Sequence, residues 1–315
     1  MHGFESKLLT VLKEQNFPNT MKPVISVSAG QDSVALLRGV LSIQSALKLN
    51  ELSVVYIHHG SSEQTDQQKY RQQAEEFVKV LCEKFDLKFI EVQKPTKVLS
   101  SEEQFRDFRK SCYKKILQQD NNFSFWLAQH QQDQLETRLI RLIRGTGPEG
   151  FKAMKVYSPP YVRPLLGFTQ KEIHNYLLDI GQNWLEDPSN NSSEYFRNWI
   201  RNNWLKQLED YRPGSTQRLA ESLEQLSDNL NSVQQDIFTE QGLDRLKFRA
   251  LQRSEQKQAL AQFCQSKGVK NYTQGQFNEL LKHLDRDEKM FTLDIMKSRW
   301  FVDAKHITVL FKKQD

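Results

Sequence analysis

Val24–Ile25–Ser26–Val27–Ser28–Ala29–Gly30–Gln31–Asp32–Ser33–Val34–Ala35–Leu36–Leu37 contains a strand, a turn of small residues and the start of a helix. The branched apolar residues Val24, Ile25 and Val27 suit a short buried strand. Asp32 and Ser33 stand where a helix begins, and Val34–Leu37 gives that helix an apolar opening turn. A strand-to-helix junction of this kind is an anion site. Unpaired backbone N–H groups converge there, and the helix dipole adds partial positive charge.

The side chains of the loop narrow the anion. A kinase-like loop carries Lys-Ser or Lys-Thr after its last glycine, to reach the β and γ phosphates. Here Gly30 is followed by Gln31, Asp32 and Ser33, and the G-x-G-x-x-G spacing is also absent. Hydroxyls and a carboxylate without lysine suit a pyrophosphate held as a leaving group, with Asp32 reaching Mg²⁺. That is adenylation chemistry. The same residues also make an ordinary turn in which Asp32 is a first-turn carboxylate.

The 315 residues suffice for two domains. No apolar run is long enough to span a bilayer, and Met1–Lys7 lacks the apolar core of a signal peptide, so a cytoplasmic protein is expected. Cys82, Cys112 and Cys264 form neither a disulfide framework nor a C-x-x-C pair. A net charge of +5 permits a nucleic-acid partner without requiring one.

Working outward, helical and strand-like segments alternate. An amphipathic helix over 4–17 precedes the first strand. Helices over 34–48, 66–85, 102–118 and 133–144 are separated by strands over 53–57, 88–92 and 123–128. This order predicts an α/β fold, a doubly wound parallel sheet of Rossmann-like type with ligands at the carboxyl ends of its strands. The opening loop, His58–His59–Gly60 and the segment after Ala128 all fall at those ends.

In that last segment, Asp133, Glu136 and Thr137 share one helix face at i, i+3 and i+4. Two carboxylates beside a phosphate site suggest a metal handle or an acceptor for an amine; helix capping by Asp133 is the plainer alternative. Arg138, Arg141 and Arg144 follow, and Gly145 and Gly147 stop the helix. Farther on, Arg197 and Arg201 share a face near Trp199 and Trp204, which fits contact with RNA as well as solvated arginines over a tryptophan core.

Tyr211–Arg212–Pro213–Gly214 marks a domain boundary, giving a catalytic domain over 1–213, with a helical extension from about 163, and a C-terminal α+β domain over 214–315. Leu219, Leu223, Leu226, Leu230, Val233 and Ile237 step by four and three, predicting one long helix from Thr216 to Gln241, ~39 Å at 1.5 Å per residue. Helices over 254–267 and 273–284 and two short strand-like runs complete a smaller, mainly helical domain.

Ser28–x–Gly30–x–Asp32–Ser33 resembles the PP-loop of the ATP pyrophosphatases. His130 to Thr137, followed by Arg141–x–x–Arg144–Gly145–x–Gly147, is similar to the second motif of the tRNA(Ile)-lysidine synthases within that superfamily. Glu102–x–x–x–Arg106–x–x–Arg109, Arg163–Pro164–Leu165–Leu166, Glu186–Asp187–Pro188–Ser189–Asn190 and Arg197–Asn198–x–Ile200–Arg201 match the same family, in family order.

The resemblance implies ATP and Mg²⁺ as cofactors, with tRNA(Ile) bearing a cytidine-first anticodon and free L-lysine as partners. It implies nucleotide contacts at Ser28, Ala29, Gly30, Gln31, Asp32, Ser33, His59, Arg106 and Gly145. RNA contacts are expected at Arg109, Arg141, Arg144, Arg197 and Arg201, and catalytic roles at Asp32, His130, Asp133 and Glu136. Asp32 and Glu136 are the expected metal ligands. A homodimer stays open, and the C-terminal domain is expected to assist in holding the tRNA.

Three departures stand out. Ala29 replaces the second glycine of the loop, which costs about 1 kcal/mol if the backbone there is left-handed. Gln129 and Gln132 replace a His and an Asp, and Ser61–Ser62 replace a Leu-Arg pair. A PP-loop tRNA thiolase and a non-catalytic nucleotide- or RNA-binding module are the alternative readings; the thiolase needs reactive cysteines near the site.

Overall fold

The computed structural model describes residues 1–49, 51–62, 65–146, 154–191, 195–228, 235–269, 272–285, 288, 290–296 and 298–311. The chain forms two compact units, Met1–Glu136 with Met154–Ala220, and Thr137–Ala153 with Glu221–Asp315.

The first unit alternates α1 (Gly3–Lys13), β1 (Lys22–Ser26), α2 (Gln31–Ile43), β2 (Ser53–Val55), α3 (Thr65–Lys84), β3 (Lys88–Ile90), α4 (Glu102–Leu117), β4 (Phe123–Trp126) and the start of α5 (Gln131–Ile143), which from Thr137 belongs to the second unit. A short pair, β5 (Tyr157–Ser158) and β6 (Tyr161–Val162), and α6 (Gln170–Asp179) follow. A helical run, α7, then passes through an α segment (Phe196–Trp199), a π segment (Ile200–Leu205) and a second α segment (Lys206–Tyr211).

The sheet order is β3-β2-β1-β4-β6-β5, with every pairing parallel except the β5–β6 hairpin. The strands run outward from β1 in one direction and from β4 in the other. The β1–β4 junction is therefore the topological switch point, where a crevice opens at the carboxyl ends.

Strand periodicity explains why helices cover both faces. Ile25, Val54 and Trp126 point into one core with Leu8, Leu36 and Tyr176. Their neighbours Val24, Val55 and Phe125 point into the other, against Cys112, Tyr113 and Ile116 of α4. Each fully buried branched side chain contributes roughly 1.5–3 kcal/mol, so the two layers fix the register of the central strands.

The second unit contains a helix over Ser215–Asp228, which begins in the first unit, and an antiparallel five-stranded sheet. Its strands are β7 (Phe238–Thr239), β8 (Gly242–Asp244), β9 (Phe291–Ile295), β10 (Ser298–Val302) and β11 (His306–Phe311), in the order β7-β8-β11-β10-β9. Helices over Arg253–Ser266 and Gln274–Leu284 bury Leu260, Phe263, Phe277 and Leu281 in one core with Trp300.

The single helix expected from Thr216 to Gln241 is not formed. Helix is described to Asp228, and the chain from Gln235 makes a 3-10 turn and a strand. Leu230 and Val233 lie outside the described residues, Leu226 is exposed, and Ile237 is buried in the second core instead of on a helix seam. Gly242 carries the overlooked signal. At φ +151° it passes so close to β11 that a Cβ would lie 2.4 Å from the Ile307 carbonyl oxygen. Only glycine allows that hairpin.

Candidate active site at the switch point

Gly30 caps α2 with extended backbone (φ −73°, ψ 159°) and no side-chain cap, so the first turn keeps its N–H groups for a ligand. Ser33 braces the loop from within, its Oγ accepting from the Ser28 N–H at 3.0 Å and donating to the Gly30 carbonyl at 2.9 Å. The Tyr70 hydroxyl donates to the Ser28 carbonyl (3.2 Å), and the Leu185 N–H to the Ala29 carbonyl (2.9 Å).

Ala29 is left-handed, at φ +65°. A residue with a Cβ loses roughly 1–2 kcal/mol there. Its methyl is fully buried in the core around Ile25 and Leu36, and burial of such a group contributes about 0.8 kcal/mol. The alanine is thus tolerated where the family has glycine.

Across the switch point, α5 starts at the carboxyl end of β4. Asp133 Oδ2 accepts from the His130 N–H (3.0 Å), and His130 Nδ1 accepts from the Gln132 N–H (3.3 Å), so the capping role of Asp133 is real. The arrangement also aims the His130 ring. Its Nε2 lies 3.6 Å from Asp32 Oδ2 and 3.6 Å from Asp133 Oδ2. Burial pushes the Asp32 carboxyl above its usual range, with His130 opposing and the Asp133 charge adding to the rise.

Arg197 and Arg201 turn toward these carboxylates. Arg201 Nε and Nη2 donate to Glu136 Oε1 (2.6 Å) and Oε2 (3.0 Å), and Nη2 also reaches Asp133 at 3.4 Å. Arg197 Nη1 lies 3.6 Å from Glu136 and 3.7 Å from Asp133, while its Nε lies 3.6 Å from Glu102. Glu136 is completely buried; burial raises its pKa and Arg201 pulls it back.

Arg201 donates to both oxygens of Glu136, the residue expected with Asp32 as a metal ligand. Arg197 and Arg201, expected to contact RNA, are turned toward these carboxylates. The complementary spacings were visible, two anions at i, i+3 and two cations at i, i+4. Their meeting was not, since about sixty residues separate them.

His59 closes another side of the crevice, edge-on to Phe105 at 5.0 Å. Burial, then Arg109 and Arg71, pushes its pKa down to about 3, so the ring is neutral. Arg71 donates to the carbonyls of His59, Gly60 and Ser61 and thereby shapes this loop, a role the sequence reading missed. Arg106 and Arg109 are both exposed on α4. The charge of Arg106 bears on Tyr161 and Arg163, and that of Arg109 on His59 and Tyr113. Gln129 accepts from Arg163 Nε at 2.7 Å.

Arg141 lies near the end of α5, Arg144 just past it and exposed. Gly145 (φ +77°) ends the helix, its N–H and that of Thr146 returning to the Leu142 and Arg141 carbonyls. These residues belong to the second unit. Gly147 lies outside the described residues.

Among the described residues, no group of three or more His, Cys, Asp or Glu side chains is arranged to hold a metal ion. One carboxylate atom does fit a cation. Asp32 Oδ1 is buried without a hydrogen-bond partner among the described residues, as is Gln31 Nε2 beside it. Mg²⁺ usually takes one or two carboxylates, substrate phosphates and water, so a single aspartate suffices.

Cys82, Cys112 and Cys264 are buried, and burial pushes their thiols up, Cys82 to about 11 and Cys264 to about 12. None is a thiolate for sulfur transfer. No helix among the described residues is long and apolar enough to cross a membrane.

The PP-loop domain family matches residues 1–208. The tRNA(Ile)-lysidine synthase of Bdellovibrio bacteriovorus is 36% identical over 295 residues, covering 91% of each chain. That of Proteus mirabilis is 34% identical over 70% of this chain, which spans 52% of that longer protein. Among solved structures, the U34-tRNA thiolase NcsA from Methanococcus maripaludis shares the fold, with a TM-score of 0.55 and 14% identity, covering 74% of this chain and 80% of that one. A PP-loop domain across two thirds of the sequence, and a relative 36% identical over 91% of each chain, place the chain in the tRNA(Ile)-lysidine synthase family of PP-loop proteins.

Proposed function

We propose that this protein converts the first anticodon cytidine of a tRNA(Ile) to lysidine, using ATP and free L-lysine, in the cytoplasm. The observation that carries the reading is the pairing of an uncapped, lysine-free anion loop with the His130–Asp133–Glu136 segment across one switch point.

In this reading the cytidine O2 attacks the α-phosphate of ATP, C2 becomes an activated adenylate, and pyrophosphate leaves. The amides at the start of α2 stabilise the charge that develops on the pyrophosphate. Asp32 would hold Mg²⁺, which supplies further neutralisation of the phosphates. The lysine ε-amine then attacks C2 in its neutral form and displaces AMP. Asp133 or Glu136, the two carboxylates on the crevice side of α5, orients that amine. His130, held between Asp32 and Asp133, contacts the nucleotide or the extruded base. The neutral His59 lines the nucleotide side of the crevice. Arg106 and Arg109 on α4 and Arg141 and Arg144 at the end of α5 contact phosphates of nucleotide or RNA, and the segment from about residue 214 helps hold the tRNA.

Incubation with ATP, Mg²⁺, labelled lysine and a tRNA(Ile) transcript tests the proposal. Lysine-dependent AMP release and label on the tRNA are expected. Folded protein that binds the tRNA but incorporates no lysine would overturn it.

A further inference from the structure

Between α6 and α7 the chain passes through Leu185–Glu186–Asp187–Pro188–Ser189–Asn190. Leu185 donates its N–H to the Ala29 carbonyl of the anion loop at 2.9 Å. Two residues on, three donors converge on Asp187 Oδ1. They are Gln67 Nε2 of α3 (2.8 Å), the Ser189 N–H (2.8 Å) and the Ser189 hydroxyl (2.7 Å). The next two carbonyls hold α7: Ser189 accepts from Asn198 Nδ2 at 2.9 Å, and Asn190 from Asn202 Nδ2 at 2.7 Å.

Both ends of this strap bear on the site. A peptide unit is planar and trans, so tying down its carbonyl sets the opposite direction for the next N–H. Tyr70 of α3 ties the Ser28 carbonyl and Leu185 ties that of Ala29, which together aim the Ala29 and Gly30 amides. Gly30 caps α2, so its N–H belongs to the anion site. At the other end, Asn198 and Asn202 directly follow Arg197 and Arg201 and share a helix face at i, i+4. The strap grips that face while the adjacent face brings the two arginines to Asp133 and Glu136.

We infer that Asp187 is a positioning residue, anchoring a strap over residues 185–190 that aims the anion-loop amides and seats Arg197 and Arg201 on their carboxylates. It acts through Leu185, Asn198 and Asn202, without touching a reacting atom. Its kinetic consequence rests on the proposed activity; its structural consequence does not.

Asp187→Ala removes the shared acceptor, whereas Asp187→Asn keeps a carbonyl oxygen for the same donors. Hydrogen–deuterium exchange of the full chain without substrates is the first measurement. Asp187→Ala is expected to exchange about tenfold faster in peptides spanning 184–191 and at the start of α7, with β10 and β11 unchanged. Asp187→Asn should match wild type. In the complete reaction, kcat should fall at least about tenfold in Asp187→Ala with the KM for tRNA unchanged, and Asp187→Asn should recover most of the rate. If Asp187→Ala does not fold, Gln67→Met cuts only the tie to α3 and should show the same local exchange. Unchanged exchange around Leu185 in either variant would overturn the inference, as would a uniform rise across both units. So would an Asp187→Asn variant as impaired as Asp187→Ala, or an unaltered kcat in Asp187→Ala. The exchange measurement needs no chemistry, so wild-type protein that shows the expected protection but makes no lysidine would count against the proposed activity alone.

Discussion

Arg201 closes on Glu136 through two parallel contacts, Nε to Oε1 at 2.6 Å and Nη2 to Oε2 at 3.0 Å, and the carboxylate has no exposed surface. Breaking one side of such a pair strands a buried charge, at a cost of about 3–5 kcal/mol. Arg201→Leu is therefore expected to lose stability of this order in urea titration and to lose activity. The double variant Arg201→Leu/Glu136→Leu should be more stable than the single one, because no charge remains unpaired. Arg201→Lys cannot reproduce the fork and should fall between. Equal destabilisation of single and double variants would show that the pair does not hold this region.

A substitution at Asp32 is expected to separate chemistry from binding. Its carboxylate sits at the first turn of α2, and one oxygen lacks a partner among the described residues. Asp32→Ala should reduce ATP-dependent pyrophosphate release by two orders of magnitude or more, on the scale of losing one charge-stabilising group. Affinity for tRNA should be unchanged. Equal loss of both would assign Asp32 to structure.

His59 gives a pH signature. Its pKa is about 3 in the fold, against an ordinary value of 6.5. Below pH 6.5 the unfolded chain binds the proton and the folded one does not, so stability falls as pH drops from about 6.5 toward 3. Tm measured against pH should decline more steeply for wild type than for His59→Gln, the difference opening below pH 6.5. Parallel curves would mean that the ring protonates in the folded state.

For Ala29, backbone strain opposes methyl burial. Ala29→Gly relieves the left-handed penalty and loses a buried methyl and some backbone rigidity, so its stability should stay within about 1 kcal/mol of wild type. Ala29→Val puts a branched side chain at φ +65° in a filled core and should cost more than about 2 kcal/mol. Chemical denaturation checks both. A strongly stabilising glycine would mean that the methyl contributes nothing.

The cysteines predict insensitivity. All three thiols are buried with raised pKa values, so alkylating reagent applied to native protein should leave the proposed activity intact. Rapid inactivation tracking modification of Cys82 or Cys112 would revive sulfur chemistry.

Much of the fold was readable because local patterns agreed with it. The strands at Lys22–Ser26, Ser53–Val55, Lys88–Ile90 and Phe123–Trp126 and their intervening helices follow from alternation, caps and apolar periodicity. Reading failed where a local pattern was ambiguous. Leu219, Leu223 and Leu226 carry helix periodicity, and Ile237 continues it by coincidence, since it serves the core of a sheet unit. The short β5–β6 hairpin escaped notice because two residues per strand carry no period.

By itself the sequence determined the anion loop, its missing lysine and the α/β order that sets the loop at a strand end, because those depend on neighbouring residues. The tertiary structure decided which charges meet. In the sequence Asp133 and Glu136 read as a metal handle, an amine acceptor or a helix cap, and Arg197 and Arg201 as RNA-contacting or solvated; packing of α7 brought the four within 2.6–3.7 Å. Attraction between charges depends on distance and burial, and neither is encoded by spacing along the chain. The same packing leaves Phe196 and Trp199 on the outside, where periodicity alone had assigned the tryptophans equally to a core or to RNA.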